Sequence, residues 1–397
     1  MWKLPAGAEF VINRLNQQGF AAYVVGGCVR DTLLGKAPKD WDVCTNALPE
    51  QMQQVFADCH VIETGLQHGT LTVMYDHEPF EVTTFRVDGE YTDHRHPDEV
   101  VFVSDVRDDL SRRDFTVNAM AWSPETGLVD AFGGREDLQK QLIRCVGEPE
   151  RRFDEDALRL MRALRFASVY GFAIDPATDA AIHALKHTLT DVAAERIRVE
   201  LAKLLCGQGA GEILRAYRDV LAVIMPPLSM VDWPSTVSAV EKAPPTEVLR
   251  LTMLLHQLKP ADAKAVLMSL KLDNFTRDRA LLLILNQNAE LLPTRHSLLT
   301  ALSLFGEEVV RQLLMIREAK GGEVSHLAAV LDEVLSDGVC YTVKDMAVNG
   351  RDLMTLGAKG KQVGDCLAHL LSILLAETLP NDRDALLAAA KKHLNQA

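Results

Sequence analysis

The period of the apolar residues changes once along this chain, and that change limits the folds open to it. As far as about residue 135, β-branched and aromatic runs alternate with short helical stretches; beyond it, helical spacing carries on to the end. The chain therefore reads as α+β, an α/β head followed by an all-helical remainder. At 397 residues it is too long for one ordinary domain. Breaks at residues 207–211, Pro226-Pro227, Pro244-Pro245 and Gly321-Gly322 punctuate the helical part.

Within the head, Phe10, Val11 and Leu15 predict a helix over residues 6–18 that ends at Gly19. A strand at Tyr23-Val24-Val25 leads into Gly26-Gly27, Val29 to Leu34 reads as a short helix closed by Gly35, and Trp41-Asp42-Val43 resumes extended structure. Runs from Thr70 to Tyr75 and from Phe80 to Arg86 flank a polar turn at Asp76-His77-Glu78-Pro79, which predicts a hairpin. Residues 87–99 are polar, contain Gly and Pro and lack an apolar period, which predicts a mobile surface loop.

Charge and cysteine usage narrow the class. A net charge of −13 opposes a generic nucleic-acid coat, so any nucleic-acid partner must be held by clustered arginines. Seven scattered cysteines without a C-x-x-C pair argue against a disulfide framework or a zinc site. No stretch reaches the ~18 apolar residues of a membrane helix and no secretory leader is legible, so a cytoplasmic protein without membrane association is expected.

The chemistry concentrates in three places. Asp40 and Asp42 follow the glycine turn by a dozen residues; on a strand, side chains at i and i+2 share a face. They could hold divalent ions where the amides of Gly26 and Gly27 reach a triphosphate, with Arg30 between them as a phosphate ligand. Glu81, on the hairpin's second arm, is either a third carboxylate facing them or an edge-strand glutamate. Three such carboxylates around two magnesium ions would suit in-line displacement on a triphosphate. The stretch Asp109-Leu110-Ser111-Arg112-Arg113-Asp114 is either a capped helix end with solvent-facing arginines or a phosphate and ribose clamp.

Third comes Glu155-Asp156-Ala157-Leu158-Arg159-Leu160-Met161-Arg162-Ala163-Leu164-Arg165. At 100° per residue Ala157, Leu160, Met161 and Leu164 form an apolar stripe with Arg159 and Arg162 opposite. Asp156 and Arg159, at i and i+3, form either an ordinary surface ion pair or a reader of nucleobases. Cytosine and adenine both show an exocyclic amine beside a ring-nitrogen acceptor, which a carboxylate and a guanidinium match; uracil and guanine invert the pattern. Opposed buried polar groups cost roughly 1–3 kcal/mol each, and sites built on hydrogen bonds can discriminate by ~10⁴-fold.

Taken in order, Gly26-Gly27-x-Val29-Arg30-Asp31, Asp40-x-Asp42, Arg112-Arg113-Asp114-Phe115-Thr116-x-Asn118-Ala119 and Glu155-Asp156-x-x-Arg159-x-x-Arg162-x-x-Arg165 resemble the motifs of class II tRNA nucleotidyltransferases, the family of bacterial CCA-adding enzymes and poly(A) polymerases. The resemblance is strong over residues 20–205 and weaker beyond, where Val348-Asn349-Gly350-Arg351-Asp352-Leu353 resembles a tail segment. It implies a nucleotidyltransferase-fold head (1–142), a helical neck that recognises the base (143–206), and a body (207–335) and tail (336–397) that bind tRNA. It further implies addition of C, C and A to the tRNA 3′ end from CTP and ATP with pyrophosphate release. Asp40 and Asp42 would bind Mg2+, with Glu81 beside them. Gly27, Arg30 and Arg113 would hold triphosphate and sugar, Asp156 and Arg159 would read the base, and Arg162 and Arg165 would support them or reach phosphate.

By the same resemblance, in which enzymes that add only CC lack a flexible loop at this place, the loop kept at 87–99 favours completion with A; an enzyme adding only the terminal A stays open. The acidic balance disfavours a poly(A) polymerase, and the intact carboxylates disfavour an inactive RNA-binding module. No G-x-G-x-x-G supports a dinucleotide-binding oxidoreductase. Neither an attached phosphohydrolase nor an obligate protein partner is expected. Arg196, Arg198 and Lys203 are the candidate neck cations for tRNA phosphates.

Overall fold

The computed structural model describes residues 2–89 and 100–395, in two compact units. The first comprises residues 1–231 with 266–272; the second comprises 232–265 with 273–397.

The first unit begins with helix α1 (Ala6–Gln17), closed by Gly19 at φ +82°. Then follow β1 (Ala22–Val25), α2 (Gly27–Leu33), β2 (Val43–Thr45), α3 (Pro49–Val55), β3 (His60–Gly65), β4 (Thr70–Tyr75) and β5 (Glu78–Thr84). The chain continues through β6 (Arg86–Asp88), β7 (Val100–Phe102), α4 (Val106–Ser111), β8 (Met120–Ser123), β9 (Gly127–Asp130) and α5 (Gly134–Gln139). Seven of these strands make one sheet in the order β3-β4-β5-β2-β1-β8-β9. Every pairing in it is antiparallel except β2 with β5.

The predicted hairpin is β4–β5, turned by only Asp76 and His77, both at positive φ, so Glu78 and Pro79 belong to the strand. The segment predicted as a loop from residue 87 has an ordered stem: β6 pairs antiparallel with β7, and Val87 and Asp88 are strand residues. The rest of that expectation, residues 90–99, lies outside the described residues.

Register decides which side chains share a face. Tyr23 pairs with Cys44, Val25 with Ala121, and Cys44 with Thr83. That face packs on α4 through Val25, Cys44, Ala121, Val106 and Leu110. Val24, Val43 and Val82 alternate to the other face and are buried on the side of α1.

A two-stranded parallel ribbon, β10 (Leu142–Ile143) with β11 (Ala173–Ile174), is the only strand structure described beyond β9. Between and after these strands lie α6 (Pro149–Glu155), α7 (Leu158–Tyr170), α8 (Pro176–Leu185), α9 (Ala194–Leu205), α10 (Ala210–Ala216) and α11 (Arg218–Ile224). The helix expected to run unbroken from Glu155 is interrupted: Asp156 is extended (φ −147°, ψ 103°), and α7 starts after it. Residues 207–231, assigned from sequence to the body, pack with the first unit.

The second unit carries α12 (Trp233–Lys242), α13 (Glu247–Leu255), α15 (Asn274–Asn286), α16 (Arg295–Ala319), α17 (Ser325–Ser336), α18 (Gly350–Thr355), α19 (Lys361–Leu375) and α20 (Arg383–Leu394); α14 (Pro260–Ser269) crosses the division at 265/266. Gly306 (φ +76°) splits α16, a break the sequence reading did not foresee. The Asn349-x-x-Asp352 segment is a helix cap: Asn349 accepts from the Arg351 amide (2.9 Å), Asp352 accepts from the Asn349 amide (2.9 Å) and pairs with Arg383 (2.5 Å). Cys340, Val348, Leu353, Cys366, Leu370 and Leu386 form a separate core beneath it.

Gly7 lets α1 lie against β5, because a methyl group there would overlap the buried ring of Phe80. Gly7→Ala should therefore destabilise the protein by about 1–3 kcal/mol, read as a lower midpoint in urea unfolding.

Candidate active site

The glycine turn is built by β1 running into α2. Gly26 is the N-cap of α2 at φ +78°, ψ −123°, a conformation open to glycine. Its amide donates to the Met120 carbonyl of β8 (3.0 Å), which ties the turn to the sheet. A Cβ at Gly26 would lie 2.9 Å from Nη1 of Arg113, so the guanidinium of Arg113 sits directly against the turn. Gly27 is the first residue of α2.

Asp40 and Asp42 precede β2 rather than lying within it. The ladder nevertheless reaches Asp42, whose carbonyl accepts from the Val25 amide (3.0 Å). Asp42 and Glu81 each stand two residues before the registered partners Cys44 and Thr83, which puts them side by side on the face that packs on α4. Desolvation raises the Asp42 carboxyl above its ordinary value, as do the charges of Glu81 and, less strongly, Asp40; Arg113 alone opposes them. All three acids keep solvent-exposed surface, so they stand open to a ligand rather than in a closed core. Among the described residues, no three His, Cys, Asp or Glu side chains form a ready-made metal-holding group.

Arg113 is placed by Asp109, which sequence reasoning treated only as a possible cap. Asp105 caps α4 instead, accepting from the Arg107 amide (2.9 Å). Asp109 is fully buried and takes Arg112 (2.9 and 3.0 Å), Arg113 (3.1 Å) and the backbone amide of Arg86 in β6 (3.4 Å). Burial alone would raise its pKa, but the charges of Arg113 and Arg112 outweigh that and hold it below the carboxylate range. Arg113 Nε has no hydrogen-bond partner among the described residues.

Arg30 is not a free arm. It is buried, paired with Asp31 (2.9 Å), donates to Asn118 Oδ1 (2.5 Å) and lies over Tyr170 and Phe166 at 4.7 and 5.2 Å. Tyr170 closes the group by donating to Asp31 (2.9 Å), bracing α7 against α2.

Asp156 and Arg159 do not pair with each other. Arg159 reaches back to Glu155 (2.6 Å), the Arg152 carbonyl (3.0 Å) and the Arg112 carbonyl (3.2 Å). Asp156 takes the Leu158 amide (3.0 Å) and Arg196 (2.7 Å). The apolar stripe of Ala157, Leu160, Met161 and Leu164 is buried as expected, but the arginines opposite it are half-buried and engaged rather than solvated. Arg162 grips Asp114 (2.6 and 2.8 Å), and Arg165 pairs with Glu200 of α9. Of the neck cations proposed for tRNA, Arg196 is thus committed to Asp156, and Arg198 donates to the Lys271 carbonyl (2.6 Å). Glu200 was legible as a lone acid in the apolar series Ile197, Leu201, Leu204; Glu155 and Asn118 stood in the motifs but were given no role there.

A mixed sheet with a glycine turn, flanking carboxylates and an arginine clamp defines a nucleotidyltransferase head. The family described as "Poly A polymerase head domain" matches residues 22–144, "Probable RNA and SrmB- binding site of polymerase A" matches 171–228, and "tRNA nucleotidyltransferase domain 2 putative" matches 244–390. The CCA-adding enzyme of Limosilactobacillus fermentum is 36% identical, over 96% of both chains. That of Leuconostoc mesenteroides is 44% identical over 59% of this chain and 58% of its own length. A crystal structure of the Bacillus stearothermophilus CCA-adding enzyme in complex with CTP superposes with a TM-score of 0.84 at 30% identity, covering 100% of this chain and 99% of that one. The chain belongs to the CCA-adding enzyme family of tRNA nucleotidyltransferases.

Asp114 joins the clamp to α7 and has a measurable signature. Burial would raise its carboxyl, but Arg162 and the hydrogen bonds from Asn118 and Arg162 hold it at about 2, below its ordinary 3.8. A folded-state value below the unfolded one stabilises at pH above the latter, and that stabilisation fades as pH falls from about 4 to about 2. By this shift Asp114 ionisation contributes about 2 kcal/mol at neutral pH. Asp114→Asn should lower the urea midpoint at pH 7, with the gap from wild type narrowing below pH 4.

Proposed function

We propose that this protein, acting in the cytoplasm, adds C, C and A to the 3′ end of tRNA from CTP and ATP, without a nucleic-acid template. The tRNA 3′ oxygen attacks the α-phosphorus of the bound nucleotide, the bond from that phosphorus to the bridging oxygen breaks, and pyrophosphate leaves. The observation that carries this reading is the three-residue segment Arg112–Asp114. Arg113 faces the glycine turn and Asp42, while the Arg112 carbonyl and the Asp114 carboxylate are held by Arg159 and Arg162 of α7. Triphosphate and base would therefore be gripped from one continuous wall.

The donor set fits a hard divalent cation. Asp42 carries more negative charge around it than Arg113 neutralises, and carboxylate oxygens suit Mg2+. Asp40 and Asp42, with Glu81 beside them, would hold the metal, which when bound activates the attacking hydroxyl and screens the triphosphate. Gly26 and Gly27 leave room for phosphate oxygens at the start of α2, and Arg113 brings a guanidinium to the same place. Arg30, buried and paired, orients α2 from behind. Asp156 would accept from the exocyclic amine of cytosine or adenine and Arg159 would donate to the adjacent ring nitrogen, with Arg162 and Arg165 holding α7, which carries Arg159 and follows Asp156.

Transcripts ending before CCA, after C and after CC, incubated with magnesium, CTP and ATP and sized at single-nucleotide resolution, test the proposal. Three additions to the bare end and a stop are expected; extension of the CC-ended transcript alone would make this an A-adding specialist, and a long A ladder a poly(A) polymerase. Asp42→Asn should lower addition by roughly 10²–10³-fold or more. The same variant should melt no lower than wild type at pH 7, because it relieves like-charge crowding around a desolvated carboxylate.

A further inference from the structure

Each charged side chain of the base-reading segment has a partner off α7, and the one serving Asp156 comes from α9. α9 packs along α7 and presents Arg196 and Glu200, one helical turn apart on one face. Arg196 Nη2 meets Asp156 Oδ2 at 2.7 Å, and Glu200 meets Arg165, so an anion and a cation of the reading segment each face their opposite. The Asp156 and Arg196 side chains retain 16% and 26% of their surface, so the pair is largely covered but still reachable from solvent.

Asp156 lies in the break between α6 and α7, where no helical backbone fixes its direction. Its carboxylate is pinned at two points on different elements: Oδ1 accepts the Leu158 amide (3.0 Å) and Oδ2 accepts Arg196. An ionised carboxylate offers about four acceptor positions, so two anchors stop its rotation and still leave capacity for a base amine. With the amide contact alone, the carboxylate would swing about that single anchor.

We propose that Arg196 is a specificity-determining positioning residue. It fixes the orientation in which Asp156 accepts from cytosine or adenine, and thereby sets discrimination against uracil and guanine. This rests on the assignment of Asp156 as a base reader. It differs from a tRNA-phosphate role for Arg196, whose loss would weaken tRNA binding and slow every nucleotide equally.

Single-nucleotide addition would be measured for wild type, Arg196→Met, Arg196→Lys and Asp156→Asn, giving each of CTP, UTP, ATP and GTP to the bare-ended and CC-ended transcripts, with thermal melts alongside. Arg196→Met should cut the CTP-to-UTP ratio of kcat/KM by ~10–100-fold, the worth of one charged hydrogen bond. The fall should come from the CTP term, with KM for tRNA unchanged and Arg196→Lys restoring part of the ratio. An Arg196→Met enzyme that slows CTP and UTP alike while Asp156→Asn collapses the ratio overturns the role of Arg196 and leaves base reading intact. Should Asp156→Asn keep the wild-type ratio, base reading by Asp156 is itself wrong. If Arg196→Met does not fold, the ratio in Arg196→Lys decides: a value below wild type supports the proposal and an unchanged one overturns it.

Discussion

The grip of α7 on the segment Arg112–Asp114 is the constraint on which the rest of the site depends. Arg162 holds the buried carboxylate of Asp114 and Arg159 the backbone carbonyl of Arg112, two residues earlier, and between them Arg113 is aimed at the glycine turn. A buried ion pair adds little net stability where its desolvation offsets its attraction, but breaking one partner leaves a charge uncompensated. Such contacts therefore specify an arrangement more than they strengthen it. Here the arrangement sets the Arg113 guanidinium and helix α7 at a fixed spacing.

Around that grip the charges are distributed unevenly. Asp109 and Asp114 are buried and saturated with arginine, whereas Asp42, Glu81 and Asp40 crowd one another with only Arg113 in opposition. The saturated acids hold structure; the crowded ones keep an excess of negative charge that a divalent cation would offset. Arg113 belongs to both groups, bonded to Asp109 and facing Asp42, which makes it the hinge of the site's electrostatics.

Much of this is legible in the sequence. Gly19, Gly35 and the Asp76-His77 turn announced element ends because few residues tolerate a left-handed backbone. The glycine turn followed by Asp40 and Asp42 marked the candidate site, and the apolar stripe of α7 gave that helix's buried face. Less visible were the half-buried charges. Periodicity places Arg159 and Arg162 opposite the apolar stripe, but it cannot say whether water or another element waits there. Asp109 looked like a cap because local sequence does not show that β6 returns to cover it. Likewise Asp156 and Arg159 looked like an i, i+3 pair because nothing local marks the helix break between them.

By itself the sequence determined the α+β class, the family and the candidate residues for the proposed chemistry, since these depend on residue type, order and short-range backbone preference. Only the tertiary structure decided how they are partnered. Which arginine meets which carboxylate depends on α7, α9 and the β1–β2–β5 register arriving at one place, and long-range contacts of that kind leave no local trace. Charge pairs across elements are chosen by geometry, and geometry is settled only when the sheet and the helices have packed.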